Sequence, residues 1–141
     1  MFKKLTVIAV LLALMLASFP VSSVFAKGPI VDNMEIKWDQ LVQRYNTQSF
    51  THERTHKVVA DFIKTTKHLK AADKAELDKH LAICNSALAT AKTIVTNHPG
   101  FDAKGNVIDT TVAQKTLNTL ADALQRHIGS INNLNEHMRN R

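Results

Sequence analysis

The chain has 141 residues, with 18 Lys plus Arg, 12 Asp plus Glu, a single Cys, four Gly and three Pro. This length suits one compact domain and excludes a multidomain enzyme. The apolar fraction of 45% is too high for a disordered chain. The few Gly and Pro residues argue against a turn-rich β-sandwich, so we expect a small helical protein.

The N-terminal segment has the pattern of a secretory signal peptide. Lys3 and Lys4 precede a predominantly apolar stretch over 5–19, and Val24-Phe25-Ala26 offers small residues at the cleavage spacing. A retained membrane anchor is the alternative, but the apolar stretch is short for a span of about 20 residues. We therefore predict cleavage after Ala26, a mature domain over 27–141, and no membrane association after cleavage.

The charge and the cysteine narrow the classes of partner. Cleavage would remove Lys3 and Lys4 and no acid, which lowers the net charge from +6 to +4. The remaining basic residues are spread along the chain, so nucleic-acid binding is not expected.

Cys84 has no partner for an intramolecular disulfide, and the chain has no CxxCH motif for covalent haem. Its place on an apolar stripe favours the core, with a disulfide-linked dimer or a metal thiolate as alternatives.

Apolar residues at spacings of three and four predict four helices in the mature chain. The first begins near Asp32 or Asn33, and a polar stretch over 46–50 separates it from a second helix that ends near Ala71. The third begins at about Asp73 and stops before His98-Pro99-Gly100, and a loop over 98–109 leads to the fourth. The apolar stripes are Met34, Trp38, Leu41, Val42 and Tyr45; Val58, Val59, Phe62, Ile63 and Leu69; Leu77, Leu81, Cys84, Leu88, Ala91 and Val95; and Leu117, Leu120, Leu124, His127, Ile131, Leu134 and Met138.

Short connections between helices one, two and three, with a fourth helix that returns after the loop over 98–109, predict an all-α, antiparallel up-down-up-down four-helix bundle. In this topology both ends of the mature chain lie at one end of the bundle. Met34 and His137 would then approach each other, although 103 positions separate them. A thioether and an imidazole are a known axial pair for haem iron.

Both ends of the mature chain resemble the cytochrome b562 family. Asp32-Asn33-Met34-Glu35 opens the mature chain, and His137 is followed by four residues that end in Arg141. The resemblance implies a periplasmic four-helix bundle with one non-covalent haem b, ligated by Met34 and His137. It also implies single-electron transfer with unidentified redox partner proteins, no enzymatic activity, and a monomer or weak dimer.

The segment His52-Glu53-Arg54-Thr55-His56 is a formal HExxH motif. On a helix it places two imidazoles on one face with a glutamate beside them, as in zinc hydrolases. Glu76, 20 positions after His56, has the spacing of a third ligand, but a second helix that runs to about residue 70 would place it roughly 20 Å from His56, too far for zinc ligation. The alternatives are a helix-capping or surface role and adventitious capture of a divalent ion.

Histidines elsewhere offer a further metal site. His127 falls on the apolar stripe of the last helix. If the last two helices pack as an antiparallel pair, counting residues back from the loop places His80 at the same level along the bundle axis, near Cys84. A core histidine with a local hydrogen-bond partner is the simpler interpretation. The second functional hypothesis is therefore an exported helical bundle without haem that binds a divalent metal or another protein, through His52, His56, His80 and His127.

Overall fold

The computed structural model of the protein describes residues 27–140, so the predicted signal peptide lies outside the described residues. Three α-helices make up the fold: α1 over Pro29–Thr65, α2 over Ala71–Asn97 and α3 over Thr110–Arg139. Within residues 27–140 the only β pairing is an isolated bridge between Phe101 and Val107. The all-α class is confirmed, but the described chain has three helices and not the predicted four.

The difference arises because the first two predicted helices are one helix of 37 residues. The polar stretch over 46–50 contains no Gly or Pro, so nothing in it breaks a helix. The hydroxyls of Thr47 and Thr51 donate hydrogen bonds to the carbonyl oxygens of Gln43 and Thr47, so both hydroxyls are satisfied within the helix. Gln48 in this stretch is buried, at 6% exposure. The break in the apolar stripe marks a polar layer in the core.

Three helices place the chain ends differently from four. The turn over 66–70 makes α2 antiparallel to α1, and the loop over 98–109 makes α3 antiparallel to α2. Consequently α1 and α3 are parallel, as the contacts of Arg44 with Gln125 and of Gln48 with His127 show. The start of α1 therefore lies beside the start of α3, and the predicted proximity of both chain ends is wrong for the described residues.

The predicted loop over 98–109 is confirmed, and it packs against the beginning of α1. His98 ends α2 in the left-handed conformation, at φ 38°. The ring of Phe101, which is 1% exposed, stacks on Trp38 with ring centroids 4.5 Å apart. Gly100 has φ +82°, and a Cβ there would lie 2.3 Å from the backbone nitrogen of Ala113. Only glycine fits this close approach.

The core consists of two apolar clusters with a polar layer between them. The cluster nearer the start of α1 contains Trp38, Leu41, Ala91, Phe101, Ala113, Leu117, Leu120, Ala123 and Leu124. The other contains Val59, Leu77, Cys84, Ile131 and Leu134. Gln48 and His127 lie between them and are both buried. No helix in the described part of the chain combines the length and the apolar character that a membrane span requires.

Candidate metal centre

A group of three potential metal ligands lies beside the second apolar cluster, at the end of the bundle that carries the α1–α2 turn. Glu76 and His80 stand four positions apart on α2 and therefore share one face of that helix. His137 comes from the last turn of α3. Leu77 and Leu134, 1% and 0% exposed, anchor the two helix segments in the core. The ligands thus project from a packed interface between two helices.

The distances among these side chains fit one ion. One ligand atom from each of Glu76, His80 and His137 lies within 4.8 Å of the other two. The imidazole rings of His80 and His137 have centroids 5.6 Å apart. Two ligands bound at about 2.1 Å to the same ion are separated by at most about 4.2 Å. Small side-chain rotations would therefore suffice for all three to reach one metal ion.

His80 has unused hydrogen-bonding capacity. Its Nδ1 atom is buried and, within residues 27–140, has no hydrogen-bond partner. Its Nε2 atom lies 3.9 Å from Oε2 of Glu76, which is beyond hydrogen-bond range. Buried polar atoms in folded proteins are almost always satisfied, and an exception calls for an explanation such as an ion. A cation bound at Nδ1 would give this atom the partner that it otherwise lacks.

The electrostatics keep His80 ready to bind a metal. Burial, followed by the neighbouring charges of His137 and Lys79, lowers the pKa of His80. The imidazole is therefore neutral at pH 7 and keeps a lone pair for a metal. Lys79 lies 3.2 Å from Oε2 of Glu76 and competes with an ion for this carboxylate. This pair is exposed, so the competition is weak.

Two imidazoles and one carboxylate bind divalent transition metals such as Zn²⁺, Fe²⁺ and Cu²⁺, and leave coordination positions for water or another ligand. The side chain of His80 is 12% exposed and that of Glu76 45% exposed. An ion would reach this site from one side of the bundle without unfolding of the core.

The structure does not bring Met34 and His137 together. Met34 lies beside Gln114 and Leu117, near the start of α3. His137 lies 23 residues beyond Gln114 on that same helix, which at 1.5 Å per residue is about 35 Å away. Two axial ligands must both bind one iron at its centre, so the predicted pair does not fit a single haem. The four-helix topology that justified the pair is the part of the prediction that fails.

The surroundings of Met34 offer no substitute for His137. The groove beside Met34 is lined by Thr, Gln, Lys and Asn side chains, and no histidine among residues 27–140 lines it. His98 is the histidine of the adjacent loop, and its Nδ1 hydrogen-bonds to the carbonyl oxygen of Phe101. The Glu35 carboxylate of the same motif has a structural role: it accepts hydrogen bonds from Lys27 and from the backbone N–H of Val107.

The HExxH segment lies on α1, where His52 and His56 are neighbours with ring centroids 4.5 Å apart. Glu76 does not join them. Nε2 of His56 lies 2.8 Å from Oδ1 of Asn85, which is nine residues or about 14 Å of helix from Glu76. Glu76 instead belongs with His80 and His137. His52, His56 and Glu76 therefore do not form a zinc-hydrolase triad.

His127 and His80, predicted at similar heights, belong to different groups. His127 is fully buried in the polar layer, where its Nδ1 lies 2.9 Å from Oε1 of Gln48 and its Nε2 lies 3.1 Å from Nδ1 of His52. Burial lowers the pKa of His127 to about 4, and the nearby His52 adds to this shift. These contacts agree with the simpler interpretation of His127 as a core histidine with a hydrogen-bond partner.

Cys84 is a core residue, as its apolar stripe predicts. It is 0% exposed, and its thiol lies 3.9 Å from the carbonyl oxygen of His127. Burial raises the pKa of this thiol to about 11. A buried protonated thiol is a poor partner for an intermolecular disulfide.

The sequence contains one local signal for the metal centre. Glu76 and His80 have the i, i+4 spacing that places two ligands on one helix face. Their partner His137 follows from the antiparallel packing of α2 and α3, which brings the end of α3 beside the start of α2. Gln48 and Asn85, which contact histidine rings, have no recognisable sequence signal.

Comparisons with known proteins identify no relative. No family model, no curated protein and no solved structure matches the chain. The family resemblance of the two chain ends therefore stays a prediction from short segments.

Proposed function

We propose that this protein binds a divalent transition-metal ion through Glu76, His80 and His137, as an exported carrier, buffer or sensor of that metal. The observation that carries the proposal is the buried, unpartnered Nδ1 of His80 within a cluster of three ligands less than 4.8 Å apart. An imidazole that is desolvated without a hydrogen bond costs folding free energy, and a bound ion offsets this cost.

The site suits reversible binding better than permanent structural binding. Structural zinc sites have four protein ligands, whereas this cluster offers three, so at least one coordination position stays open to solvent or to a transfer partner. The carboxylate is also accessible from solvent. An ion held in this way can be passed to another ligand by exchange at the open position. Catalysis is not part of the proposal.

The haem function and the metal function make opposite demands on His137. Electron transfer through haem needs His137 near Met34, whereas divalent metal binding needs it near His80. Its ring lies 5.6 Å from that of His80. This contact favours the second of the two sequence hypotheses, and periplasmic electron transfer stays a prediction from the family resemblance.

Competition titrations of Zn²⁺ against a chromophoric chelator test the proposal. We expect one equivalent of Zn²⁺ to bind at this centre, and His80→Ala and Glu76→Gln each to weaken it at least 10-fold, because even the loss of a hydrogen bond to a ligand costs 10- to 100-fold. His68→Ala is the matched control, since His68 is an exposed histidine in the α1–α2 turn. Unchanged Zn²⁺ affinity in the His80 and Glu76 variants would refute the proposal.

Lys79→Gln provides a test in the opposite direction. Lys79 lies 3.2 Å from the Glu76 carboxylate and competes with the ion. Its removal is expected to raise the Zn²⁺ affinity a few-fold, less than the loss in Glu76→Gln, because exposed ion pairs are weak. An affinity that falls in Lys79→Gln would place the metal elsewhere.

A further inference from the structure

The polar layer of the core contains a second pair of facing imidazoles. Nδ1 of His52 on α1 and Nε2 of His127 on α3 lie 3.1 Å apart. Two nitrogens bound at about 2.0–2.1 Å to one tetrahedral ion are about 3.3 Å apart. The two rings therefore have almost the separation and the facing atoms of a pair that shares one zinc ion.

Gln48 prepares His127 for this role. Its Oε1 lies 2.9 Å from Nδ1 of His127, and this oxygen accepts hydrogen bonds only. His127 therefore carries its proton on Nδ1 and directs the lone pair of Nε2 toward His52. Metal-ligating histidines usually have this arrangement, in which the nitrogen away from the metal donates to an oxygen acceptor that fixes the ring.

His52 holds the proton of the facing pair. On its other side its ring lies 4.5 Å from the ring of His56, whose Nε2 is 2.8 Å from Oδ1 of Asn85. In the metal-free protein one proton lies between the two facing nitrogens, on Nδ1 of His52. When an ion binds, this proton moves to Nε2 of the same ring, so that both facing nitrogens offer lone pairs and no proton is lost from the site.

We propose that His52 and His127 form a second site for a tetrahedral divalent ion such as Zn²⁺, between α1 and α3, with Gln48 as the hydrogen-bond partner that orients His127. His127 is fully buried and His52 is half-buried, so the ion enters from the His52 side and water completes its coordination. The site lies about 15 Å along α3 from His137 and is independent of the centre formed by Glu76, His80 and His137.

The experiment uses a Glu76→Gln/His80→Ala/His137→Ala variant, which removes the first centre, and titrates it with Zn²⁺ and with Co²⁺. We expect one equivalent to bind, intense visible bands of tetrahedral Co²⁺, and at least a 10-fold loss of affinity when His52→Ala is added. A triple variant that binds neither ion would overturn the proposal. The same variant series shows separately whether the first centre binds metal, so the failure of one site is distinguishable from the failure of the other.

Two additional measurements address variants that fail to fold and the neighbouring His56. Two-bond ¹H–¹⁵N spectra of the unsubstituted protein report on each ring nitrogen directly. Zn²⁺ is expected to shift the ¹⁵N resonances of Nδ1 of His52 and Nε2 of His127, whereas a persistent His52–His127 hydrogen bond at saturating Zn²⁺ would contradict the site.

His56→Ala in the triple variant is expected to retain binding of Zn²⁺. Loss of binding in this variant with no shift at His127 would assign the ion to the surface pair of the HExxH motif instead.

Discussion

The Oε1 atom of Gln48 lies 2.9 Å from Nδ1 of His127, at the boundary between the two apolar clusters of the core. This contact joins α1 to α3 and fixes their parallel register. It also explains why the apolar stripe of α1 is interrupted while the helix is not. The polarity that suggested a turn over 46–50 belongs to a side chain that points into the core.

Replacement of Gln48 by Met is expected to lower the free energy of unfolding by about 1–3 kcal/mol. Met fills similar space, but it leaves Nδ1 of the buried His127 without an acceptor. Gln40→Met is the matched control, because Gln40 is exposed on the same helix, and its effect should stay within about 0.5 kcal/mol. Urea denaturation measures both. Equal effects in the two variants would show that the Gln48–His127 contact has no particular role.

The metal-free protein is expected to lose stability in mild acid. The pKa of His127 is about 4 in the folded protein, below its ordinary value of 6.5, because the ring is buried. Between pH 6.5 and pH 4 the unfolded chain therefore binds a proton that the folded protein does not. The stabilising contribution is complete above pH 6.5 and is lost as the pH falls toward 4, by at most about 3 kcal/mol. Burial lowers the pKa of His52 and His80 as well, which acts in the same direction.

Denaturation at a series of pH values in EDTA measures this slope. His127→Gln should reduce the dependence between pH 6.5 and pH 4, and His68→Ala should leave it unchanged. A free energy of unfolding that is flat over this range would contradict the buried, neutral state of His127.

The thiol of Cys84 is expected to be unreactive in the folded protein. It is 0% exposed, and burial raises its pKa to about 11, so little reactive thiolate forms at pH 8. Ellman's reagent should label it only after denaturation, and the purified protein should run as a monomer on a non-reducing gel. Ser86→Cys is the control, since this nearby position on α2 is exposed and should react at once. Rapid labelling of the parent protein would show that the core opens readily.

Haem is expected to find no Met34/His137 site. The two residues lie about 35 Å apart along the bundle, so titration with haemin should give no saturable spectrum with Met/His ligation. Met34→Ala should leave any weak haem absorbance unchanged, because Met34 is not paired with a histidine. Sharp reduced α and β bands that both Met34→Ala and His137→Ala abolish would restore the cytochrome interpretation and require a different helix arrangement.

Local sequence patterns predict much of this fold correctly. They predict the number of helices, and therefore the topology, wrongly. The end of α2 at His98, the loop over 98–109 and the apolar stripe of α3 follow from Pro, Gly and helical spacing. The division of α1 does not hold, because a buried glutamine and a polar surface turn look alike in sequence. That single difference turns the start of α1, and Met34 with it, to the end of the bundle opposite His137.

The candidate site illustrates the same dependence on topology. Each of its histidines is visible in the sequence as a possible ligand, but their grouping depends on the relative register of three helices. The sequence predicts His80 at the level of His127, whereas the structure groups His80 with Glu76 and His137. The spacing of ligands within one helix can be predicted from the sequence. The distances between ligands on different helices depend on how the core packs.

The most direct test of the central claim is a crystal structure of the protein grown with Zn²⁺, with diffraction data recorded on both sides of the zinc absorption edge. We expect an anomalous peak between α2 and the last turn of α3, about 2.0–2.2 Å from a carboxylate oxygen of Glu76 and from one ring nitrogen each of His80 and His137. A fully occupied zinc peak elsewhere, with none among these three side chains, would contradict the account.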